Sequence, residues 1–133
     1  MLFRSLARVI GIKGNRGKVF VIVDAGMNDL LRPSLYEAYH RIEPVIDRGR
    51  ETVKADVVGP VCESGDFLAR DRELPRVEVG DLVAVRDVGA YGFSMSSTYN
   101  MRPRPAEALA EDGRARLVRR RESFEDLIAT ELG

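Results

Sequence analysis

Short runs of β-branched and aromatic residues, each ended by a turn, are the feature that most limits what this chain can fold into. The run KVFVIVD at residues 18–24 has apolar side chains in both alternating sets of positions, which is typical of a strand covered on both faces. Further β-rich runs are residues 41–46, 52–58 and 82–87. Because turns rich in glycine, proline and aspartate separate these runs, we predict a mainly β fold, an antiparallel barrel or sandwich.

Only two short helices are expected among the strands. Pro33 suits the first position of a helix, and Leu35, Tyr36 and Tyr39 would then share one helical face as far as about His40. Near the end of the sequence, Ser123 can cap a helix at residues 124–132. Strands do not alternate with long helices, so a parallel α/β sheet is disfavoured.

Two basic segments resemble ligand sites but have simpler explanations. Residues 11–17, GIKGNRG, lack the Lys-Ser/Thr ending and the following helix of a phosphate loop, and we interpret them as a hairpin turn. Residues 109–119 predict a second hairpin that turns at Asp112-Gly113. Its arginines alternate with apolar residues, so they are expected to form a solvated face of a strand.

Composition limits the partners and the compartment. The 133 residues are enough for one domain, which we expect to span residues 1–133. The formal net charge is zero, so no general attraction to nucleic acid or to a membrane surface is expected. One cysteine cannot form an internal disulfide, and no apolar run is long enough to span a bilayer. A cytoplasmic protein is predicted.

The single cysteine, Cys62, lies in the stretch VCESGD. A lone cysteine is most often a small buried hydrophobic residue, but the acidic and glycine-bearing neighbours indicate a polar loop. No basic residue lies within three positions to favour a thiolate. If Cys62 has a chemical role, a protonated thiol that donates a proton is more plausible than a nucleophile.

Two other segments are candidate binding sites. Arg32 and Tyr36 are four residues apart at a helix start, so together they could grip a carboxylate; the simpler interpretation is an exposed arginine over a core tyrosine. Tyr91 lies between glycines after a strand and could lie against a flat cofactor or simply anchor a turn. On the residues alone the simpler interpretation is favoured for Arg32 and Tyr36, and both interpretations stay open for Tyr91.

A metal site is disfavoured. His40 is the only histidine and Cys62 the only thiol, which together are too few for the usual zinc ligand sets. We therefore predict no metal.

Four blocks of the sequence carry a resemblance to a known family. They are VDAGMNDLLRPSLYEAYH at 23–40, VVGPVCESGDFLARDRELP at 57–75, GDLVAVRDVGAYGFSMSSTYNMRPRPAE at 80–107 and RRRESFEDLIA at 119–129. Taken in order, they resemble the carboxyl-terminal domain of bacterial diaminopimelate decarboxylases, pyridoxal-phosphate enzymes of the alanine-racemase-like fold. The resemblance implies decarboxylation of meso-diaminopimelate to L-lysine.

The resemblance also implies roles for particular residues. Arg32 and Tyr36 of LRPSLY would bind the substrate, and Glu63 would recognise the substrate's distal ammonium group. Cys62 would transfer a proton, and Tyr91 of GAYG would contact both cofactor and substrate. In related enzymes of this fold the cysteine loop reaches the neighbouring subunit's site, which implies a homodimer with shared active sites.

Other parts of such an enzyme are expected outside this sequence. The family's amino-terminal barrel, with the lysine that holds pyridoxal phosphate, has no counterpart in these residues, and Lys54 in TVKAD is not that lysine. The chain is therefore expected to be a fragment without activity of its own. Two alternatives remain: a decarboxylase of the same fold for ornithine, arginine or carboxynorspermidine, and a non-catalytic β-barrel binding module.

Overall fold

Strands form most of the regular structure in residues 4–131, the part of the chain that the computed structural model describes. The chain divides into two units, Met1–Ser96 and Ser97–Gly133. In the first unit the strands are β1 (Arg4–Asn15), β2 (Lys18–Val23), β3 (Ile42–Pro44), β4 (Thr52–Val58), β5 (Phe67–Pro75) and β6 (Leu82–Arg86). Its helices are α1 (Arg32–Tyr36) and α2 (Ala90–Phe93).

The six strands of the first unit form one sheet in the order β3-β6-β1-β2-β4-β5. All neighbours are antiparallel except β2 and β4, which run parallel. The two end strands, β3 and β5, also contact each other, so the sheet curls into a nearly closed barrel. The predicted mainly β, barrel-like class is confirmed.

Apolar side chains from one face of this sheet fill the interior of the first unit. Buried side chains include Val9, Val21, Val57, Leu68 and Val85. On β2 only Val21 and Val23 are buried, while the other four residues are half-exposed. The prediction of a strand covered on both faces is therefore wrong here, because only alternate residues point into the barrel.

The structure extends the predicted strands. Residues 11–15 belong to the long β1, and the turn is confined to Arg16 and Gly17, with φ of 48° and 81°. A bulge between Val9 and Gly11 in the pairing with β2 bends β1 and lets it pair with both β2 and β6. The strands β1 and β5 were not predicted.

The predicted first helix is shorter than expected. Pro33 lies in its first turn, but α1 ends at Tyr36 because Glu37 adopts a left-handed conformation with φ of 54°. A left-handed residue at this position closes a helix. Tyr39 and His40 therefore lie outside α1, and the expected helix as far as His40 is wrong.

The second unit contains a 3-10 turn at Tyr99–Met101, a hairpin of β7 (Glu107–Glu111) and β8 (Arg114–Arg119), and α3 (Phe124–Leu127). The predicted turn at Asp112-Gly113 is confirmed, with φ of 49° and 72°. Every residue of β8 is exposed, as expected for a solvated arginine face.

The predicted cap of the last helix is also confirmed. Ser123 accepts the Asp126 amide, and the Asp126 carboxylate accepts the Ser123 amide, which forms a capping box. The guanidinium of Arg120, with help from the Ser123 amide, holds the pKa of Asp126 well below its usual range. The helix α3 ends at Leu127 rather than at residue 132.

Candidate active site

The loop between β4 and β5, residues 59–66, carries the only cysteine and is called the cysteine loop below. It is closed by bonds from the Gly59 amide to the Asp66 carbonyl at 3.1 Å and from the Asp66 amide to the Glu63 carbonyl at 3.0 Å. Cys62 is exposed, as its polar neighbours predict. Its thiol can therefore reach a molecule bound at the surface of this unit.

Glu63 follows Cys62 and is also exposed. One of its carboxylate oxygens accepts the Gly65 amide at 3.2 Å. This bond orients the carboxylate within the loop and leaves its remaining lone pairs able to accept hydrogen bonds from a cation such as an ammonium group.

The helix α1 places the predicted carboxylate-binding pair. Pro33 is buried and anchors the helix, Arg32 is half-buried, and Tyr36 is 62% exposed. The interpretation of Tyr36 as a core residue is therefore wrong. A guanidinium and a phenol four residues apart lie on one face of a helix, so both can hydrogen-bond the same carboxylate.

Tyr91 lies on α2, a helix that begins directly after Gly89, and Gly89 has a positive φ of 58°. Its ring is 62% exposed, and the Arg32 guanidinium carbon lies 6.0 Å from the ring centroid. At Gly92 an added Cβ would lie 2.8 Å from a Val88 methyl group, so glycine is needed for α2 to pack this closely. The exposed ring face could lie against a flat cofactor.

The structure connects α1 to both neighbouring site segments. Arg32 meets Tyr91 on one side, and the Ser34 hydroxyl donates to the Gly65 carbonyl of the cysteine loop on the other. Within residues 4–131 no hydrogen bond, ion pair or ring contact joins Cys62 or Tyr36 to another predicted site residue. The five predicted residues therefore lie on three connected segments rather than in one bonded cluster.

Asp66 is an element of this site that the sequence did not reveal. It is only 4% exposed, and its two carboxylate oxygens accept the amides of Met27 and Val61, each at 2.6 Å. The stretch Gly65-Asp66 before an apolar run was its one sequence signal, since aspartate favours loops where its side chain can bond backbone amides.

His40 lies outside this group of residues. It is buried, and its Nδ1 lies 3.0 Å from the Arg86 carbonyl. No group of three or more histidine, cysteine or acidic side chains in residues 4–131 is arranged to hold a metal ion. Nor does any helix in that range have the length and apolar character to cross a bilayer.

Two of the three lysines in the sequence are engaged in ion pairs. Lys18 pairs with the buried Asp56 at 2.9 Å, and Lys54 lies 3.7 Å from Asp71. The hydrogen bond that Lys18 donates to the Asp56 carboxylate is the main reason that the pKa of Lys18 is raised. The ion pair between Lys54 and Asp71 of β5 lies at the exposed surface.

Comparison with known proteins places this group of residues in a family. The family described as "Pyridoxal-dependent decarboxylase, C-terminal sheet domain" matches residues 3–89, more than half of the chain. The matched range contains the cysteine loop and the first helix, and it ends just before Tyr91.

Individual relatives agree with this match. A diaminopimelate decarboxylase from Aquifex aeolicus is 54% identical over 96% of this chain and 30% of its own length. The crystal structure of diaminopimelate decarboxylase from Helicobacter pylori complexed with L-lysine has a TM-score of 0.89 and 50% identity, covering 96% of this chain and 31% of that one. The chain thus spans about 30% of the length of the relatives it matches.

A decarboxylase with a different named substrate is less similar. The lysine/ornithine decarboxylase from Vibrio vulnificus, solved with cadaverine, has a TM-score of 0.67 and 27% identity, covering 76% of this chain and 27% of that one. Both the backbone and the sequence are therefore nearer to the diaminopimelate enzymes.

Proposed function

Because this chain belongs to the pyridoxal-dependent decarboxylases through their C-terminal sheet domain, we propose that it is the substrate-binding and proton-donating part of a diaminopimelate decarboxylase. The reaction converts meso-2,6-diaminopimelate to L-lysine and carbon dioxide, the final step of lysine biosynthesis. One observation carries the proposal: α1 is joined to Tyr91 through Arg32 and to the cysteine loop through Ser34. Three segments that the motifs single out separately are thus physically connected.

Arg32 and Tyr36 bind the carboxylate that the reaction does not remove. The guanidinium offers a fork of N–H donors and the phenol a further O–H donor, which suits a carboxylate. Diaminopimelate carries a second carboxylate at its distal end, whereas ornithine and lysine do not. This pair therefore distinguishes diaminopimelate from amino acids with one carboxylate.

Glu63 accepts hydrogen bonds from the distal ammonium group of the substrate. Its carboxylate is exposed and already oriented by the Gly65 amide. A charged donor and acceptor form stronger hydrogen bonds than neutral groups do. The distal carbon of the substrate carries both a carboxylate and an ammonium group. Because Arg32 binds the first and Glu63 the second, the two residues also select the configuration of that carbon.

Tyr91 and Cys62 act at the reacting end of the substrate. The exposed ring of Tyr91 fits a role against the flat ring of pyridoxal phosphate, which when bound takes up the electron pair left behind as carbon dioxide departs. Cys62 then donates the thiol proton to the substrate carbon that has lost its carboxylate. We do not propose that any lysine in residues 4–131 holds the cofactor.

The site also needs a partner surface. Cys62, Glu63, Tyr36 and Tyr91 are all exposed on this chain, whereas reacting groups in decarboxylases need shelter from water. We therefore propose a homodimer with shared active sites, in which the cysteine loop of each copy, with Cys62 and Glu63, completes the site that Arg32, Tyr36 and Tyr91 of the other copy form.

A domain replacement tests the proposed function. In the H. pylori enzyme, the segment that this chain matches is replaced by the chain itself, and L-lysine formation from meso-diaminopimelate is measured. We expect the chimera to bind pyridoxal phosphate, to form lysine within about tenfold of the host's kcat/KM, and to prefer diaminopimelate to L-ornithine. The host enzyme without that segment is the control and should form no lysine. A folded chimera with bound cofactor that forms no lysine would contradict the proposal.

A further inference from the structure

We propose that Asp66 is a positioning residue that fixes the cysteine loop against the segment before α1, residues 25–31. It would thereby set where the cysteine loop presents Cys62 and Glu63. The consequence for turnover rests on the proposed function above. The anchoring itself does not, because it can be measured without substrate or cofactor.

The carboxylate of Asp66 bridges two segments that are distant in the sequence. Its Oδ1 accepts the Met27 amide and its Oδ2 accepts the Val61 amide, each at 2.6 Å. Met27 is 39 positions away along the chain, whereas Val61 belongs to the cysteine loop itself. Only 4% of Asp66 is exposed, and the bond to Val61 is buried while the bond to Met27 is part-buried, so losing the Val61 bond leaves a buried amide unsatisfied.

Two glycines make room for this carboxylate. An added Cβ at Gly26 would lie 2.9 Å from Asp66 Oδ1. One at Gly59 would overlap both carboxylate oxygens and lie 2.6 Å from the Gly26 Cα. The two backbones therefore approach each other directly at these glycines, and only residues without a side chain fit on either side of the carboxylate.

The segment before α1 is stiff enough to pass this anchoring on to the helix. The Gly26 carbonyl accepts the amides of Asp29 at 2.9 Å and Leu30 at 3.1 Å, and the Asp29 carboxylate accepts the Gly26 amide at 2.9 Å. Arg32 follows this closed turn after one further residue. A shift of Met27 would therefore move the start of α1.

Ser34 supplies a second, weaker connection between the same two segments. Its hydroxyl donates to the Gly65 carbonyl, one residue before Asp66. The Ser34 hydroxyl forms one hydrogen bond between neutral groups, whereas the charged Asp66 carboxylate accepts two amides from two segments. We therefore expect Asp66 to contribute most of the anchoring.

Amide hydrogen exchange on the full 133-residue chain tests the anchoring. The variant Asp66→Asn keeps the shape of the side chain but can accept with only one oxygen. We expect amides in residues 26–31 and 59–66 to exchange about tenfold faster or more, from the loss of a hydrogen bond to a charged group. Amides that pair β1 with β6 should be unchanged. Asp47→Asn is the matched control, since exposed Asp47 accepts the amide of Gly49, two residues further along the chain, at 2.9 Å.

Two results would overturn the inference. Unchanged exchange in both segments would show that Asp66 anchors nothing, and equal acceleration of all amides in residues 4–96 would make it a general stability residue. If Asp66→Asn does not fold, the unaltered chain still decides: the Met27 and Val61 amides, which lie outside strands, should be protected as strongly as strand amides. Fast exchange at both would refute the anchoring.

Turnover by the chimera then tests the positioning role. We expect Asp66→Asn to lower kcat about tenfold while Asp47→Asn leaves it unchanged, with equal cofactor content in both. An active chimera whose kcat is unaffected by Asp66→Asn would refute the positioning role and leave the proposed function intact. An unaltered chimera without activity would refute the proposed function, while the exchange data would still decide the anchoring.

Discussion

Replacing Arg32 by alanine in the chimera is expected to lower kcat/KM for meso-diaminopimelate by about 10- to 100-fold. The physical reason is the loss of a charge-assisted hydrogen-bond pair to the distal carboxylate, worth about 1.5–3 kcal/mol, and each 1.4 kcal/mol changes a binding constant about tenfold. The Arg32 guanidinium lies 6.0 Å from the centroid of the Tyr91 ring, and such a contact with a ring leaves its N–H groups able to donate to a carboxylate.

Two inhibitors, one with the distal carboxylate and one without it, test whether Arg32 binds that carboxylate. L-Lysine, the product, keeps the distal carboxylate, whereas cadaverine has lost both carboxylates. Arg32→Ala should therefore raise the inhibition constant of L-lysine about as much as it lowers kcat/KM, and leave that of cadaverine within about threefold. Arg76→Ala is a matched control, because Arg76 forms an exposed ion pair with Glu51 at 2.9 Å. Equal losses for both inhibitors would contradict the assignment of Arg32 to a carboxylate.

Replacing Cys62 by alanine is expected to lower kcat of the chimera by about 10²- to 10⁴-fold, the usual range for removal of a general acid. KM should fall with kcat, because a slow protonation after the irreversible release of carbon dioxide leaves kcat/KM nearly unchanged. Cys62→Ser should also be slow, since a hydroxyl is a much weaker acid than a thiol.

The order in which products appear identifies the step that Cys62 serves. If Cys62 donates the final proton, a rapid-quench experiment on Cys62→Ala should show about one carbon dioxide released per site before lysine forms. Ser64→Ala is a suitable control, since Ser64 is an exposed neighbour in the same loop. A Cys62→Ala variant with kcat within threefold of the unaltered chimera would exclude Cys62 as the acid.

Elements whose structure depends on neighbouring residues in the sequence were predictable. The strand β4 has the predicted bounds, Thr52–Val58, because β-branched residues there are flanked by turn residues. The turn at Asp112-Gly113 and the cap at Ser123 follow from residue types that suit positive φ and helix N-termini. In each case neighbouring residues alone determine the structure.

Elements that depend on distant partners were not predictable. The strand β5 contains charged residues at 70–73 that look like loop, but pairing with β4 holds them in a strand in which Arg72 is half-buried and the other three are exposed. The strand β1 contains two glycines and is held by β2 and β6 together. Tertiary pairing overrides local preference in both strands.

The site shows the same division. Motifs singled out Cys62, Glu63, Arg32, Tyr36 and Tyr91, and their roles stay predictions. The bridge that Asp66 forms to Met27 could not be predicted, because it joins residues 39 positions apart through a backbone amide that has no sequence signature. Which segments meet is a property of the folded sheet.

The most direct test of the central claim is a crystal structure of the chimera with L-lysine and pyridoxal phosphate bound. The claim is that α1, the cysteine loop and Tyr91 form the substrate-binding surface of a diaminopimelate decarboxylase. We predict that the lysine carboxylate lies within hydrogen-bond distance of Arg32 and Tyr36, and that its α-ammonium group lies within the same distance of Glu63. Lysine bound at another place, with none of these side chains within about 4 Å, would contradict the claim.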